Sequence, residues 1–435
     1  MIRRLLVISS CFMGLSTTWA RTWTDAASGR QIEAEYLSST ATTVTLSMGA
    51  GKAVTIDLAR LSGEDRAFVQ QKAKPASAKV KDRFTDVPKL TAEKIPASGE
   101  VSQALVPVDN AIRQFMVQKG VPAVTMALSR NGKVLYDRAF GWAEEALTSP
   151  LQAGVKMHVA SMTKPVVAAA VNTLFTNQKL KPDDLIFDVL NLGQYPEAKG
   201  CDPRWKKVTI QHLLDHKGGW DRAKSGDFTA ASQAMCALFK VKLNELSPLH
   251  VLRFGLKQPM DSDPGERYAY CNFGYVLLVR AIEKASGQKF IDYLHSTICK
   301  TAEAPSFSAS ASDARDRQEG EIWYCYHPEY PRHEVPLPFR TEATDGAGIL
   351  ACTAADYCRF LEKYWISGKP REPGYVYIYN FAGSLPGVTA ICSQRKDGIN
   401  YTAIANRRGS ATTEWNDELR KLIDTALDPV AADLK

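Results

Sequence analysis

The sequence of 435 residues predicts an α+β fold: an antiparallel β-sheet flanked by helices, with an all-helical half and a small β domain at the N-terminus. Two observations predict the large domain. Strand-like segments lie near both of its ends, and apolar, helix-forming segments dominate from about residue 160 to 300 between them. Because strands lie at both ends of the domain with helices between them, we expect one antiparallel sheet closed by distant segments of the chain. A hydrophobic content of 45% is sufficient for a sizeable core.

The first twenty residues have the composition of a secretory signal peptide. Arg3 and Arg4 precede an apolar core from Leu5 to Leu15, and Thr18-Trp19-Ala20 resembles a small-x-small cleavage site. This core is too short to span a bilayer, and no later segment approaches a transmembrane run. The sequence therefore predicts an exported protein, periplasmic or extracellular, whose mature chain starts at Arg21.

Residues 21–71 are predicted to form a small β domain. Apolar side chains alternate along three short segments, around residues 32–36, 44–46 and 54–58. Such alternation is typical of strands with one buried face.

Two further stretches of this domain, Arg21-Thr22-Trp23-Thr24-Asp25 and Leu61-Ser62-Gly63-Glu64-Asp65, are similar to the small SH3-like domain found attached to many exported bacterial enzymes. The resemblance implies an SH3-like β-barrel, which would either contact the cell wall or act as a spacer. Residues 72–100 are rich in lysine, alanine and proline and lack apolar periodicity, which indicates a linker.

The large domain, residues 101–430, is predicted to begin with an amphipathic helix whose apolar face includes Ile112, Phe115 and Met116. Two strands follow, over 123–129 and 133–140, and the pair Asn131-Gly132 between them is typical of a tight hairpin turn. The hairpin would form one part of the sheet.

The other strands of the sheet are predicted near the end of the chain, over 388–395 and 401–405, followed by a last helix over about 412–426. An apolar helix over Val166–Phe175 is predicted to lie between this sheet and the helical half.

Ser161 and Lys164 stand at the head of that apolar helix. Residues three apart share a face of a helix, so the hydroxyl and the amine are expected side by side at its first turn, where free backbone N–H groups favour negative charge. Pro165 fits a first turn. Alone this Ser-x-x-Lys pattern is weak, since a polar cap followed by a surface lysine has the same spacing.

A second motif, Tyr270-x-Asn272, follows about a hundred residues later and opens another predicted helix. In this order and separation the two motifs resemble the penicillin-recognising serine hydrolases, namely class C β-lactamases, D-alanyl-D-alanine carboxypeptidases and related esterases. The stretches Val208–His216 and Gly346–Leu350 are also similar to segments of that family. The resemblance covers residues 101–430 and implies the β-lactamase/transpeptidase-like fold.

The chain departs from the family at its third motif. A Lys-Thr-Gly or His-Thr-Gly is expected on the strand that lines the site, but alignment on Leu385-Pro386-Gly387 gives Phe381-Ala382-Gly383. Both the cation and the hydroxyl are missing. Lys217-Gly218-Gly219 is no substitute, because it precedes Tyr270 in the chain.

The mechanism implied by the resemblance is acyl transfer through an ester of Ser161. Lys164 and Tyr270 would move the proton of the nucleophile, and Asn272 would orient Lys164 and the substrate. The oxyanion hole would consist of the backbone N–H groups of Ser161 and of Ser384, the residue after the third-motif glycine; Gly383 itself, with Phe381 and Ala382, would line the substrate site.

The missing side chains at Phe381 and Ala382 should weaken recognition of a substrate carboxylate. We therefore expect an esterase or amidase acting on small ester, amide or peptidoglycan-derived substrates, unless Arg395, Arg407 or Arg408 replaces the lost cation. The alternative is a catalytically idle penicillin-binding-like protein that binds a cell-wall fragment or partner.

Charge and cysteine content bear on three other features: nucleic-acid binding, disulfide bonds and metal binding. The formal net charge of +7 is modest, and no basic stretch is dense enough to predict nucleic-acid binding. Nine cysteines leave eight after removal of the predicted signal peptide, and their pairing cannot be deduced from the sequence. No Cys-x-x-Cys occurs, and we predict no metal and no cofactor.

Overall fold

The structure is a computed structural model that describes residues 21–40, 42–48, 53–73, 90–312, 320–324, 340–372, 375, 377–409 and 414–434. The predicted signal peptide and most of the predicted linker lie outside the described residues. The chain divides into two compact units, residues 1–80 and 81–435.

The first unit is an antiparallel meander followed by a helix. Its strands are bonded in chain order, and Trp23, Val44, Leu46 and Val69 are the centre of its core. Its elements are β1 (Arg21–Thr24), β2 (Gln31–Ser39), β3 (Thr43–Ser47), β4 (Ala53–Asp57) and α1 (Gly63–Ala73).

The closed barrel predicted for this unit is not found among the described residues, where β1 and β4 are the two edges of an open sheet. The strand-like interpretation of its last part was also wrong, because Gly63–Ala73 is helical. Ser62 begins this helix: its Oγ accepts from Asp65 N at 3.1 Å and donates to Asp65 Oδ2 at 2.7 Å. The resemblance to an SH3-like domain stays a prediction.

The second unit contains the long helices and the large sheet. Its strands are β5 (Ala97–Ser98), β6 (Ala123–Arg130), β7 (Lys133–Gly141), β8 (Met157–His158), β9 (Ser308–Ala309), β10 (Leu350–Cys352), β11 (Tyr379–Leu385), β12 (Val388–Gln394) and β13 (Asn400–Ala405). Its helices are α2 (Val106–Lys119), α3 (Thr163–Thr176), α4 (Ile186–Val189), α5 (Ile210–Leu214), α6 (Arg222–Ser225), α7 (Ser232–Phe239), α8 (Pro248–Leu256), α9 (Asn272–Ser286), α10 (Phe290–Leu294), α11 (Lys300–Ala302), α12 (Asp345–Gly348), α13 (Ala354–Lys363) and α14 (Glu414–Leu427).

The six-stranded antiparallel sheet has the order β11-β12-β13-β6-β7-β5. The predicted closure by distant segments is confirmed, since Ala403 of β13 pairs with Met126 of β6. Asn131 and Gly132 both have positive φ, 53° and 79°, as the predicted tight hairpin requires. The end of the predicted linker differs from the prediction, because Ala97–Ser98 is an edge strand paired with β7.

Helices cover both faces of this sheet. On one face, α2 and α14 bury Ile112, Phe115 and Leu419 against the strands. On the other face, α3 belongs to a larger core that also includes α9 and the helical half. Every residue of α3 from Thr163 to Val171 is buried, which places the head of this helix between sheet and helical half, as predicted.

Two further findings concern the described residues as a whole. The seven cysteines among them all have free thiols. No helix in the described ranges combines the length and the apolar character that a bilayer crossing requires. The cysteines are Cys201, Cys236, Cys271, Cys299, Cys352, Cys358 and Cys392.

Candidate active site

Ser161 lies in a 3₁₀ turn, Ala160–Met162, that leads directly into α3. The predicted position was the first helical turn itself; the serine instead precedes it, because Ala160 has a left-handed backbone with φ of 50°. That conformation costs a non-glycine residue about 1–2 kcal/mol. The turn is stabilised on its N-terminal side, where Val159 N donates to Leu350 O of β10 at 2.9 Å.

Lys164 is buried beneath Ser161, with 1% of its surface exposed. Its Nζ donates to Ser161 Oγ at 3.2 Å and to the carbonyl oxygen of Ala347 at 2.6 Å. Ala347 belongs to the predicted glycine-containing segment, now α12. A Cβ on Gly346 would lie 1.9 Å from the carbonyl oxygen of Tyr275, so glycine is required for α12 to approach α9 this closely.

Tyr270 completes the contacts of the serine, with its Oη 2.9 Å from Ser161 Oγ. The tyrosine ring packs on His216, whose ring centroid is 4.5 Å away. Burial, and then the charge of Lys164, lower the pKa of His216 to about 3, so this imidazole is neutral. Its Nδ1 accepts from Cys271 N at 3.2 Å, which ties the Val208–His216 segment to the Tyr270 motif.

Asn272 begins α9 and makes a contact that the sequence did not predict. Its Nδ2 donates to Asp227 Oδ2 at 2.5 Å, and its Oδ1 is buried without a hydrogen-bond partner in the described part of the chain. A carboxylate oxygen accepts hydrogen bonds, so Asp227 binds the NH2 group of the Asn272 side chain and the amide oxygen Oδ1 points away from it. Lys164 was predicted to be oriented by Asn272, but its hydrogen bonds go to Ser161 and Ala347.

The third-motif strand, β11, lies directly against the Ser161 turn. A Cβ built on Gly383 would be 2.2 Å from the carbonyl oxygen of Val159 and 3.2 Å from Ser161 N. No side chain fits in that space. Gly383 is therefore the point where the sheet and the nucleophile turn touch.

The direction of the Ser384 N–H follows from the hydrogen-bond pattern between the paired strands β11 and β12. Asn416 Nδ2 donates to both Gly383 O and Ala390 O, at 3.2 and 2.9 Å, so both carbonyls point into the space between the strands. Gly383 and Ala390 are opposite residues, and hydrogen-bonded and open pairs alternate in an antiparallel ladder. The N–H of Ser384 therefore points away from β12, towards the open edge of the sheet.

Phe381 and Ala382 lie on opposite faces of β11. Phe381 is half-buried against the core that contains α3, and Ala382 packs on the core formed by α2 and α14. Two of the arginines considered as replacements are engaged elsewhere: Arg395 is bound to three carboxylates, and Arg407 Nη1 donates to Gly120 O at 2.8 Å. Arg408 stays untested as a replacement.

Three residues near the serine were missed by sequence reasoning. They are Ala347, which accepts from Lys164, Asp227, which binds Asn272, and Arg222, whose guanidinium carbon lies 4.5 Å from the ring centroid of Tyr270. Arg222 and Asp227 follow closely on the Val208–His216 segment in the chain. That proximity was the only available signal, because neither residue belongs to a motif.

Comparisons with known proteins identify the family of the chain. A family model described as beta-lactamase matches residues 108–383, more than half of the chain. The chain is 31% identical over 166 residues to a putative fimbrial assembly protein, FimD of serogroup D, from Dichelobacter nodosus, covering 38% of each chain. It is 28% identical over 184 residues to esterase EstB from Burkholderia gladioli, covering 42% of this chain and 45% of the esterase.

The matched segments thus span less than half the length of these two relatives. Among solved structures, D-amino acid amidase from Ochrobactrum anthropi SV3, in complex with L-phenylalanine, superimposes with a TM-score of 0.56 and 17% identity, covering 75% of this chain and 99% of the amidase. At that identity the likeness establishes the fold alone. The family match over residues 108–383 shows that this chain belongs to the beta-lactamase family.

Proposed function

We propose that the chain is an active serine hydrolase, an esterase or amidase that forms an acyl-enzyme on Ser161. One observation carries the proposal: Ser161 Oγ is contacted by both Lys164 Nζ, at 3.2 Å, and Tyr270 Oη, at 2.9 Å. A nucleophile within hydrogen-bond reach of its base is the arrangement that covalent catalysis requires.

The reaction follows from these contacts. The proton of Ser161 Oγ passes to the Tyr270–Lys164 pair as Oγ attacks the carbonyl carbon. The resulting oxyanion accepts hydrogen bonds from Ser161 N–H and Ser384 N–H, each worth roughly 3 kcal/mol in such sites. On collapse the pair returns the proton to the leaving oxygen or nitrogen, and a water molecule then cleaves the Ser161 ester by the same steps in reverse.

The β11 side of the site supports the substrate class. Phe381 and Ala382 provide neither a positive charge nor a hydroxyl to a substrate carboxylate on that side. We propose that the preferred substrates lack a carboxylate at this position, unlike penicillins and D-Ala-D-Ala peptides. The related proteins named esterase and amidase are consistent with such substrates.

Export to the periplasm or medium is also part of the proposal, supported by the signal-like residues 1–20. A cell-wall contact of the first unit would fit that location. Expression with the native leader should yield a protein whose mass is that of a chain starting at Arg21. This protein should be absent from the cytoplasmic fraction. Retention of the full-length chain in the cytoplasm would refute export.

The function is tested by steady-state kinetics with an aryl ester, a D-amino acid anilide and a chromogenic penicillin analogue. We expect turnover of the ester or the anilide, no turnover by the Ser161→Ala variant, and little acylation by the penicillin analogue. Rapid acylation by the penicillin analogue would refute the substrate class. The absence of any turnover by folded wild-type protein would favour the alternative, an idle site that binds a cell-wall fragment or partner.

A further inference from the structure

Arg222 places an exposed positive charge over the ring of Tyr270, in the helical half of the domain. It is the first residue of α6, a short helix capped by Asp221, whose side chain accepts from Ala223 N at 2.9 Å. The guanidinium carbon lies 4.5 Å from the ring centroid of Tyr270. The arginine therefore stacks on the residue that contacts the nucleophile.

The guanidinium of Arg222 makes no hydrogen bond or ion pair with any residue that the structure describes, and the residue is exposed. The neighbouring carboxylates have other partners. Asp221 binds Arg267 Nη1 at 2.7 Å, Asp227 binds Asn272, and Asp261 accepts from Asp221 N at 2.9 Å. The hydrogen-bonding capacity of Arg222 is thus available to a ligand.

The other cation of the site cannot serve in this role. Lys164 is buried, and its amine is bound to Ser161 and Ala347. On the β11 side, Phe381 and Ala382 occupy the positions where a cation and a hydroxyl would stand. Arg222 is therefore an exposed cation in the helical half with which a negatively charged substrate group can pair.

We infer that Arg222 is a specificity-determining residue, and that the substrates are esters or amides with a carboxylate on the arm that lies against Tyr270 and α6. Stacking on an aromatic ring leaves the N–H edge of a guanidinium open, and that edge matches a carboxylate in bidentate geometry. The substrate class would then be half-esters or half-amides of dicarboxylic acids and similarly acidic compounds. This inference rests on the proposed function and adds the charge of the substrate to it.

The test uses two fluorophosphonates with chains of equal length, one ending in a methyl group and one in a carboxylate. Wild-type protein should react faster with the carboxylate probe, and this preference should weaken at high salt. Arg222→Gln should slow the carboxylate probe by about tenfold, the value expected for losing one charge-assisted hydrogen bond, and leave the methyl probe within twofold. Arg222→Lys should retain part of the preference.

Lys224→Gln is the matched control, because Lys224 is an exposed cation on the same short helix but does not lie over Tyr270. It should change neither rate. Equal slowing of both probes by Arg222→Gln would overturn the inference and indicate that Arg222 supports Tyr270 itself. Unchanged rates with both probes would also overturn it.

A binding measurement separates this inference from the proposed function. Adipate, a dicarboxylate that needs no chemistry to bind, should bind wild-type and Ser161→Ala protein equally in calorimetry, and about tenfold more weakly to Arg222→Gln. If neither fluorophosphonate labels the protein, the proposed function fails while the adipate result still decides the role of Arg222. Equal adipate affinity in wild type and Arg222→Gln would refute that role.

Discussion

The substitution Gly383→Ala tests the contact between β11 and the nucleophile turn. The new Cβ would lie 2.2 Å from Val159 O, whereas ordinary contact begins at 3.4 Å, so β11 must retreat by about 1.2 Å, the difference between the two. Oxyanion-hole donors act within about 2.7–3.1 Å of the oxyanion, so a shift of that size removes Ser384 N–H from the site. Losing one such donor lowers the rate by about 100- to 1,000-fold.

The assay is the second-order rate constant for phosphonylation of Ser161, followed by intact mass, together with a thermal unfolding curve. Gly193→Ala is the matched control, because its Cβ would meet only Phe187 Cε1 at the ordinary distance of 3.8 Å. Neither glycine has a positive φ, so backbone strain does not separate the two variants. A folded Gly383→Ala protein that reacts within threefold of wild type would refute the placement of the oxyanion hole on β11.

Three further predictions follow from other contacts. Asp227→Asn lets the Asn272 amide take either orientation, and acylation by an aryl ester should slow by about tenfold; an unchanged rate would argue against the orienting role. In the native state His216 has a pKa of about 3 and stays neutral. In the unfolded state its pKa has the ordinary value of 6.5, so the imidazole is protonated when the pH falls below 6.5. Between pH 7.5 and 5 its contribution to the free energy of unfolding should fall by about 2 kcal/mol, a loss absent from His216→Asn in urea titrations; identical losses in both proteins would contradict this. Phe381→Lys combined with Ala382→Thr should produce an acyl-enzyme with penicillin, detected by intact mass, and no gain over wild type would mean that another feature excludes penicillin.

Sequence patterns predicted the large domain well because its elements are long and strongly patterned. Turn chemistry predicts the hairpin at Asn131-Gly132. Periodicity predicts the buried helix α3 and the strands β6 and β13, which pair in the sheet. The juxtaposition of Ser161 with Tyr270, 109 residues later, could not be derived from spacing. It was expected only from the resemblance of the motifs.

The first unit was predicted less well. Helix α1 has few apolar residues, chiefly Phe68 and Val69, so no helical stripe is visible in its sequence. Its start was nevertheless encoded in Ser62-x-x-Asp65, a pairing typical of a helix N-terminus. The strand-like alternation before residue 60, together with the resemblance to an SH3-like domain, led to the prediction of a β-barrel.

In the site, the sequence could not predict contacts that depend on tertiary approach. Lys164 is oriented by a backbone carbonyl, that of Ala347, and a carbonyl carries no sequence signature. Arg222, on the short helix α6, reaches Tyr270, and Asp227, which follows that helix, reaches Asn272. The conformation of this segment depends on tertiary packing.

The central claim is that Ser161 is an activated nucleophile. It is tested most directly by intact mass of the folded protein after exposure to a fluorophosphonate, beside the Ser161→Ala variant. We predict a single adduct on the wild-type protein and none on the variant. An adduct on both proteins would place the reactive group elsewhere, and no adduct on either would contradict the claim.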